Sequence, residues 1–98
     1  MATITYNVPI RDGAIEQRQG SIAYFDIGGQ RIKFVLQHDS KGTPRDLVHF
    51  ASGMRLGGYT AVGRMTRKWA ERQVARAIES KGVDTVLATL NSAPILNS

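Results

Sequence analysis

The sequence predicts an α+β domain in which a small antiparallel sheet of about four to five strands is covered on one face by one long helix. Three observations predict this class. Strand-like segments fill the first half of the chain, a Gly28-Gly29 pair separates two of them, and residues 61–81 have apolar side chains at helical spacing. Strands followed by a helix are typical of α+β domains. The predicted order of elements is ββββαβ.

The length and composition predict one domain over residues 1–98, without disulfides. The chain has 98 residues and no cysteine, which excludes thiolate catalysis and cysteine-ligated metals. The N-terminal residues lack the basic and apolar segments of a signal peptide, and no apolar run is long enough to cross a bilayer. We therefore expect a cytoplasmic protein that does not enter a membrane.

The first predicted strand shows the alternation of a strand with one buried face. Its apolar positions are Ile4, Tyr6, Val8 and Ile10, with polar residues between them. Pro9 cannot donate to a β-ladder, so this strand is expected to lie at an edge or to end there. The polar residues 11–20 are predicted to form a loop.

A β-hairpin is predicted around Gly28-Gly29, because glycine adopts the positive φ angles that a two-residue turn needs. The turn sets a register that can be checked against the side chains. Apolar pairs fall on one face, with Phe25 opposite Ile32 and Ala23 opposite Phe34. Favourable polar pairs fall on the other face, with Asp26 opposite Arg31 and Tyr24 opposite Lys33.

A further strand is predicted over residues 46–52, after a turn at residues 39–44. Placing Phe50 beside Phe34 and Val48 beside Leu36 continues the apolar face. This register puts His49 on the opposite, open face of the sheet. The glycines from Gly53 onward are expected to end the strand.

Residues 61–81 are predicted to form the long helix, with Thr60 as its N-cap and Gly82 just after its end. Its apolar stripe consists of Val62, Met65, Trp69, Ala70, Val74, Ala77 and Ile78. Trp69 is expected to be largely buried against the sheet. Residues 83–90 alternate and are predicted to form the last strand. In the tail that follows, only Ile95 and Leu96 are expected to dock.

The outer face of this helix is the main candidate binding surface. Arg64, Lys68, Arg72 and Arg76 are spaced by four residues, and Arg67 lies to one side of them. Like charges at this spacing repel by a few tenths of a kcal/mol per pair, which favours a role in binding an acidic partner. The formal net charge of +5 agrees with that interpretation. The alternative is a solvated helix face with an ordinary Arg67–Glu71 pair.

The open sheet face is a secondary candidate surface. Tyr24, Arg31, Lys33 and His49 are expected there. Sheets that bind single-stranded RNA present aromatic residues with basic neighbours. One tyrosine is little evidence for such a role, so a solvated sheet face is the favoured interpretation.

No arrangement of residues predicts catalysis, metal binding or a cofactor. Gly58 and Gly63 have the spacing of a phosphate-binding loop, but Arg64 and Met65 occupy the positions where that motif needs Lys and Ser or Thr. The two histidines, His38 and His49, are not predicted to converge, with His38 expected near Asp46. A Ser52–His49 pair is conceivable, but no third member of a triad is visible.

The sequence therefore predicts a small non-enzymatic binding module that docks on nucleic acid or nucleoprotein through the basic helix face. The alternative is a protein–protein inhibitor or accessory protein of phage or mobile-element type, which docks on an acidic protein surface and blocks a nucleic-acid-handling complex. That alternative is an analogy of size and charge only. The oligomeric state is not predicted.

Overall fold

A computed structural model describes residues 3–56 and 63–98. Four strands come first: β1 (Thr3–Pro9), β2 (Ile15–Ile27), β3 (Gln30–His38) and β4 (Pro44–His49). Two helices follow: α1 (Arg67–Lys81) and α2 (Val83–Ser92). The strands form one antiparallel sheet in the order β1-β2-β3-β4. The α+β class is confirmed, whereas the predicted final strand is replaced by α2.

The β2–β3 hairpin has the predicted register. Phe25 lies opposite Ile32, and Tyr24 lies opposite Lys33. Gly28 and Gly29 have φ angles of 57° and 80°, which are the positive values that the two-residue turn requires. The local turn and the cross-strand pairs therefore determined this part of the fold together.

Two predictions for the strands are wrong. Residues 11–20 are not a loop, because a short 3-10 turn at Arg11–Gly13 reverses the chain and β2 begins at Ile15. Pairing with β1 makes this polar segment a strand despite its composition. The register of β4 is shifted by one residue, so that Phe34 pairs with His49 instead of Phe50. An irregularity between Gln37 and His38 accompanies the shift.

The predicted helix start is also wrong. Residues 63–66 are not helical, and α1 begins at Arg67 with Thr66 as its N-cap. The Thr66 hydroxyl accepts a hydrogen bond from the Trp69 backbone N–H at 3.2 Å, which satisfies an amide without an intrahelical partner. Thr60 and Val62 lie outside the described residues. The predicted stop is confirmed, since α1 ends at Lys81 and Gly82 has a φ of 84°.

Residues 83–92 form a helix because a second apolar pattern competes with the alternation. Val83, Val86, Leu87 and Leu90 recur at steps of three, one and three, which is typical of one helix face. All four belong to the core beneath the helices or pack against it. The same residues satisfy the pattern of a strand and that of a helix, and burial of this apolar face stabilises the helix.

The sheet has a core on each face. On one face, α1 and α2 cover a cluster that includes Phe25, Phe34 and Leu36. Trp69 is partly buried and packs against this cluster as expected, although it lies at the border and not among the fully buried residues. On the opposite face is a second cluster of buried residues, comprising Tyr6, Val8, Val35 and Val48. The second cluster shows that the other sheet face is open only in part.

The C-terminal tail joins the two edges of the sheet. The Asn97 side chain accepts from the Asn7 N–H at 2.7 Å and donates to the carbonyls of Asn7 at 2.9 Å and Phe50 at 2.7 Å. The Leu96 and Asn97 N–H groups both donate to the Ala51 carbonyl. The tail thus docks through Leu96, as expected, and through Asn97, whereas Ile95 is 73% exposed. These bonds hold β1 against the turn that follows β4.

Replacing Asn97 by alanine is expected to lower the free energy of unfolding by about 2 kcal/mol, since several part-buried hydrogen bonds are lost together. Urea denaturation followed by circular dichroism would measure the change. Asn91→Ala is the matched control, because Asn91 is exposed on α2. Its replacement is expected to change the free energy of unfolding by no more than about 0.5 kcal/mol. Equal effects of the two substitutions would show that the tail does not hold the sheet edges together.

Candidate binding surface

Three of the four predicted ridge residues lie on the solvent side of α1. Lys68, Arg72 and Arg76 are exposed, while Ala70 and Val74 on the opposite side of the helix are buried. We call these three cations the basic face. The fourth predicted member, Arg64, is exposed but precedes the helix, so it does not continue the ridge.

The first turn of α1 has an unusual charge. It begins with Arg67 and Lys68 and contains no acidic residue. The positive end of a helix dipole favours carboxylates, so cations there cost up to about 1 kcal/mol each when exposed. Within the described parts of the chain, neither Lys68 nor Arg72 forms a salt bridge. An anion bound at this end of α1 would relieve the repulsion.

Arg67 turns away from the basic face and contacts the sheet. Its Nη2 donates to the Tyr24 backbone carbonyl at 2.9 Å, and its guanidinium carbon lies 4.8 Å from the centre of the Phe25 ring. The predicted pair with Glu71 is also present, at 3.5 Å. Among the residues described, β1 pairs with β2 only as far as Ser21. Tyr24 lies beyond that point, so its backbone carbonyl can accept a hydrogen bond from Arg67. Arg67 therefore connects the start of α1 with this part of β2.

The secondary surface predicted from sequence is present in part. The Arg31 guanidinium lies 4.2 Å from the centre of the Tyr24 ring, and the Lys33 ammonium lies 3.9 Å from that of Phe50. Asp26 is the cross-strand neighbour of Arg31, yet the two form no salt bridge in the described structure. The Arg31 guanidinium therefore covers an aromatic ring and is not neutralised by an ion pair.

His49 does not belong to this surface, and its predicted place there is wrong. The one-residue register shift turns it to the opposite face, where it is buried against the Phe34 ring. Its Nδ1 lies 2.8 Å from the Ser52 hydroxyl, so the conceivable Ser52–His49 pair exists. Both residues are buried, and burial lowers the pKa of His49. This hydrogen bond stabilises the turn after β4, and the buried pair is not accessible to a substrate.

His38 forms a second contact with a serine, its Nε2 lying 3.0 Å from the Ser21 hydroxyl. Asp46, which was expected beside His38, lies opposite Gln37, the residue before it. No carboxylate bonds to either histidine within residues 3–56 and 63–98, so neither serine contact has the third member of a triad. The same residues contain no group of three or more side chains that could hold a metal ion.

A depression on the hairpin includes Arg67 from the start of α1. It has a volume of about 380 Å³ and is lined by Ile22, Ala23, Tyr24, Asp26, Arg31 and Arg67. Arg67 comes from α1, whereas the other residues come from the hairpin. The depression therefore brings Arg67, at the start of α1, beside the Tyr24–Arg31 pair of the hairpin, whereas the sequence presented these residues as parts of two separate candidates.

Comparison of this chain with protein-family models, curated proteins and solved structures finds no match. Neither helix in the described ranges combines the length and apolar character that crossing a bilayer requires.

Proposed function

We propose that this chain is a non-enzymatic module that binds nucleic acid, with the basic face of α1 contacting backbone phosphates. The observation that supports the proposal is the exposed positive charge on α1 and on the hairpin: Lys68 and Arg72 are exposed on the helix, and Arg31 lies beside an exposed tyrosine. Phosphate contacts need cations that are free to exchange small counterions for the nucleic acid. Lys68, Arg72 and Arg31 form no salt bridge within the described residues and meet that requirement.

A second candidate is the binding of an acidic protein, as an inhibitor or accessory protein of a nucleic-acid-handling complex would do. One observation favours it. A groove of about 330 Å³ lies between α1 and α2, with Ala77, Val86 and Leu90 in its lining and Arg76 and Lys81 beside them. An acidic protein segment with an apolar side chain would fit such a groove, whereas a phosphate backbone has no aliphatic group to fill it.

The test of the proposed function is the double charge reversal Lys68→Glu with Arg72→Glu. Affinity for a fluorescent DNA or RNA strand is expected to fall at least about tenfold at low salt, because repulsion replaces attraction. The slope of log affinity against log salt is expected to fall by about two units, one for each phosphate contact removed. Fluorescence anisotropy over a salt series measures both quantities. Each single reversion is expected to recover part of the binding.

The matched control is Arg11→Glu with Lys41→Glu, which makes the same change in net charge at exposed sites outside α1 and α2. Its affinity is expected to stay much closer to that of the wild type. Equal losses in the two double variants would mean that net charge alone attracts the nucleic acid. A wild-type chain that binds no nucleic acid at about 0.1 M salt would overturn the proposal and favour the acidic protein partner.

A further inference from the structure

We infer that Tyr24, with Arg31 and Arg67 beside it, forms a stacking subsite for an unpaired base, so that the ligand is single-stranded nucleic acid. This inference rests on the proposed function and specifies the kind of nucleic acid. It comes from the side chains around the depression on the hairpin.

Tyr24 is placed to act as a stacking platform. It is 38% exposed and is the one exposed aromatic residue in the described ranges. Most of the remaining aromatic side chains there serve the two cores. Because Tyr24 lies on a hairpin strand with a fixed register, its ring is displayed on a rigid element. Aromatic rings so displayed stack on bases without regard to sequence.

The cations around Tyr24 suit a nucleotide. The Arg31 guanidinium lies 4.2 Å from the ring centre, so it either extends the stacking surface or turns to meet a phosphate. Arg67 bonds to the Tyr24 backbone carbonyl, so this contact does not involve the ring. Lys33, the cross-strand partner of Tyr24, lies over Phe50 and forms a second cation–aromatic pair next to the first. Aromatic rings interleaved with cations are typical of surfaces that bind single strands.

The geometry favours a single strand over a duplex. In a duplex the bases are stacked on one another, so their faces cannot meet a side chain without the cost of unstacking. The depression at Tyr24 is shallow and lies beside the edge of a strand, which allows a flat ring to lie against the surface. Arg67 also lines this depression, so its guanidinium would lie near a phosphate next to the stacked base.

The experiment compares the affinities of Tyr24→Ala and Tyr24→Phe for an oligothymidine of about 12 nucleotides and for the duplex of the same strand. Tyr24→Ala is expected to reduce affinity for the single strand by about 5- to 150-fold, which corresponds to about 1–3 kcal/mol per stacked base. Tyr24→Phe keeps the ring and is expected to retain most of the affinity. Affinity for the duplex is expected to change little in either variant.

The outcomes separate this inference from the proposed function. Single-strand affinity that is unchanged in Tyr24→Ala, or reduced equally for strand and duplex, would overturn the stacking subsite while the phosphate contacts of the basic face still stand. A wild-type chain that binds neither strand nor duplex would overturn the proposed function and the subsite with it. Thermal unfolding of each variant shows whether the fold is retained, as expected at this exposed position.

Discussion

Replacing Phe34 by alanine is expected to lower the free energy of unfolding by about 3–5 kcal/mol. Phe34 is fully buried on β3, at the centre of the face that α1 and α2 cover. Its ring contacts Phe25 and His49 edge to face, with centroid distances of 5.7 Å and 5.9 Å. Removing the ring leaves a cavity between the sheet and both helices, which the rigid hairpin cannot close. Urea denaturation of the purified variant measures the loss.

Trp69→Ala provides the comparison, because sequence alone places Trp69 in the same core. The side chain is half-buried at the border of the cluster, so its loss is expected to cost less than that of Phe34. Ile95→Ala is the control for an exposed apolar side chain, with an expected change within about 0.5 kcal/mol. A larger loss of stability in Trp69→Ala than in Phe34→Ala would contradict this arrangement of the core, since the packing of α1 would then depend mainly on contacts at the border of the cluster.

The sequence predicted the hairpin correctly because everything that determines it is local. The Gly28-Gly29 turn and the cross-strand pairs lie within one short stretch of chain, so each could be checked against the other. The register of β4 has no such check, because it depends on the longer turn and on the irregularity at Gln37 and His38. The hydrogen bonds of Asn97 were missed for a similar reason: Asn97 bonds to a residue 90 positions away, which no periodicity records.

For the candidate surface, helical spacing predicted the basic face but not the contact of the neighbouring Arg67 with the sheet. Lys68, Arg72 and Arg76 need only the period of a helix to lie together. The contact of Arg67 with Tyr24 spans 43 positions and depends on how α1 sits against β2, which packing of the core decides. The hairpin register placed Tyr24 beside Lys33, yet the cation over its ring is the diagonal neighbour Arg31. A correct register therefore does not show which neighbouring cation lies over the ring, and the three-dimensional structure is needed to show it.

Replacing Gly53 by alanine is expected to lower the free energy of unfolding by about 2–4 kcal/mol, through backbone strain and overpacking together. Gly53 has a φ of +70°, which side chains rarely adopt. A Cβ there would lie 2.5 Å from the Asn7 carbonyl oxygen and 2.8 Å from the Val8 Cα. These are backbone atoms of β1, so no side chain can rotate away to make room.

Gly42→Ala separates the two contributions. Gly42 has a similar φ of +79°, but a Cβ there would meet no atom within 4 Å, so its substitution is expected to cost only about 1–2 kcal/mol of backbone strain. The additional loss of stability in Gly53→Ala, compared with Gly42→Ala, measures the overpacking that results from the close approach of β1 to the turn after β4. Equal costs at the two glycines would show that the sheet edges do not meet there. Because Asn97 holds the same edges together through Asn7, Asn97→Ala is expected to cost less in the Gly53→Ala background than in the wild type.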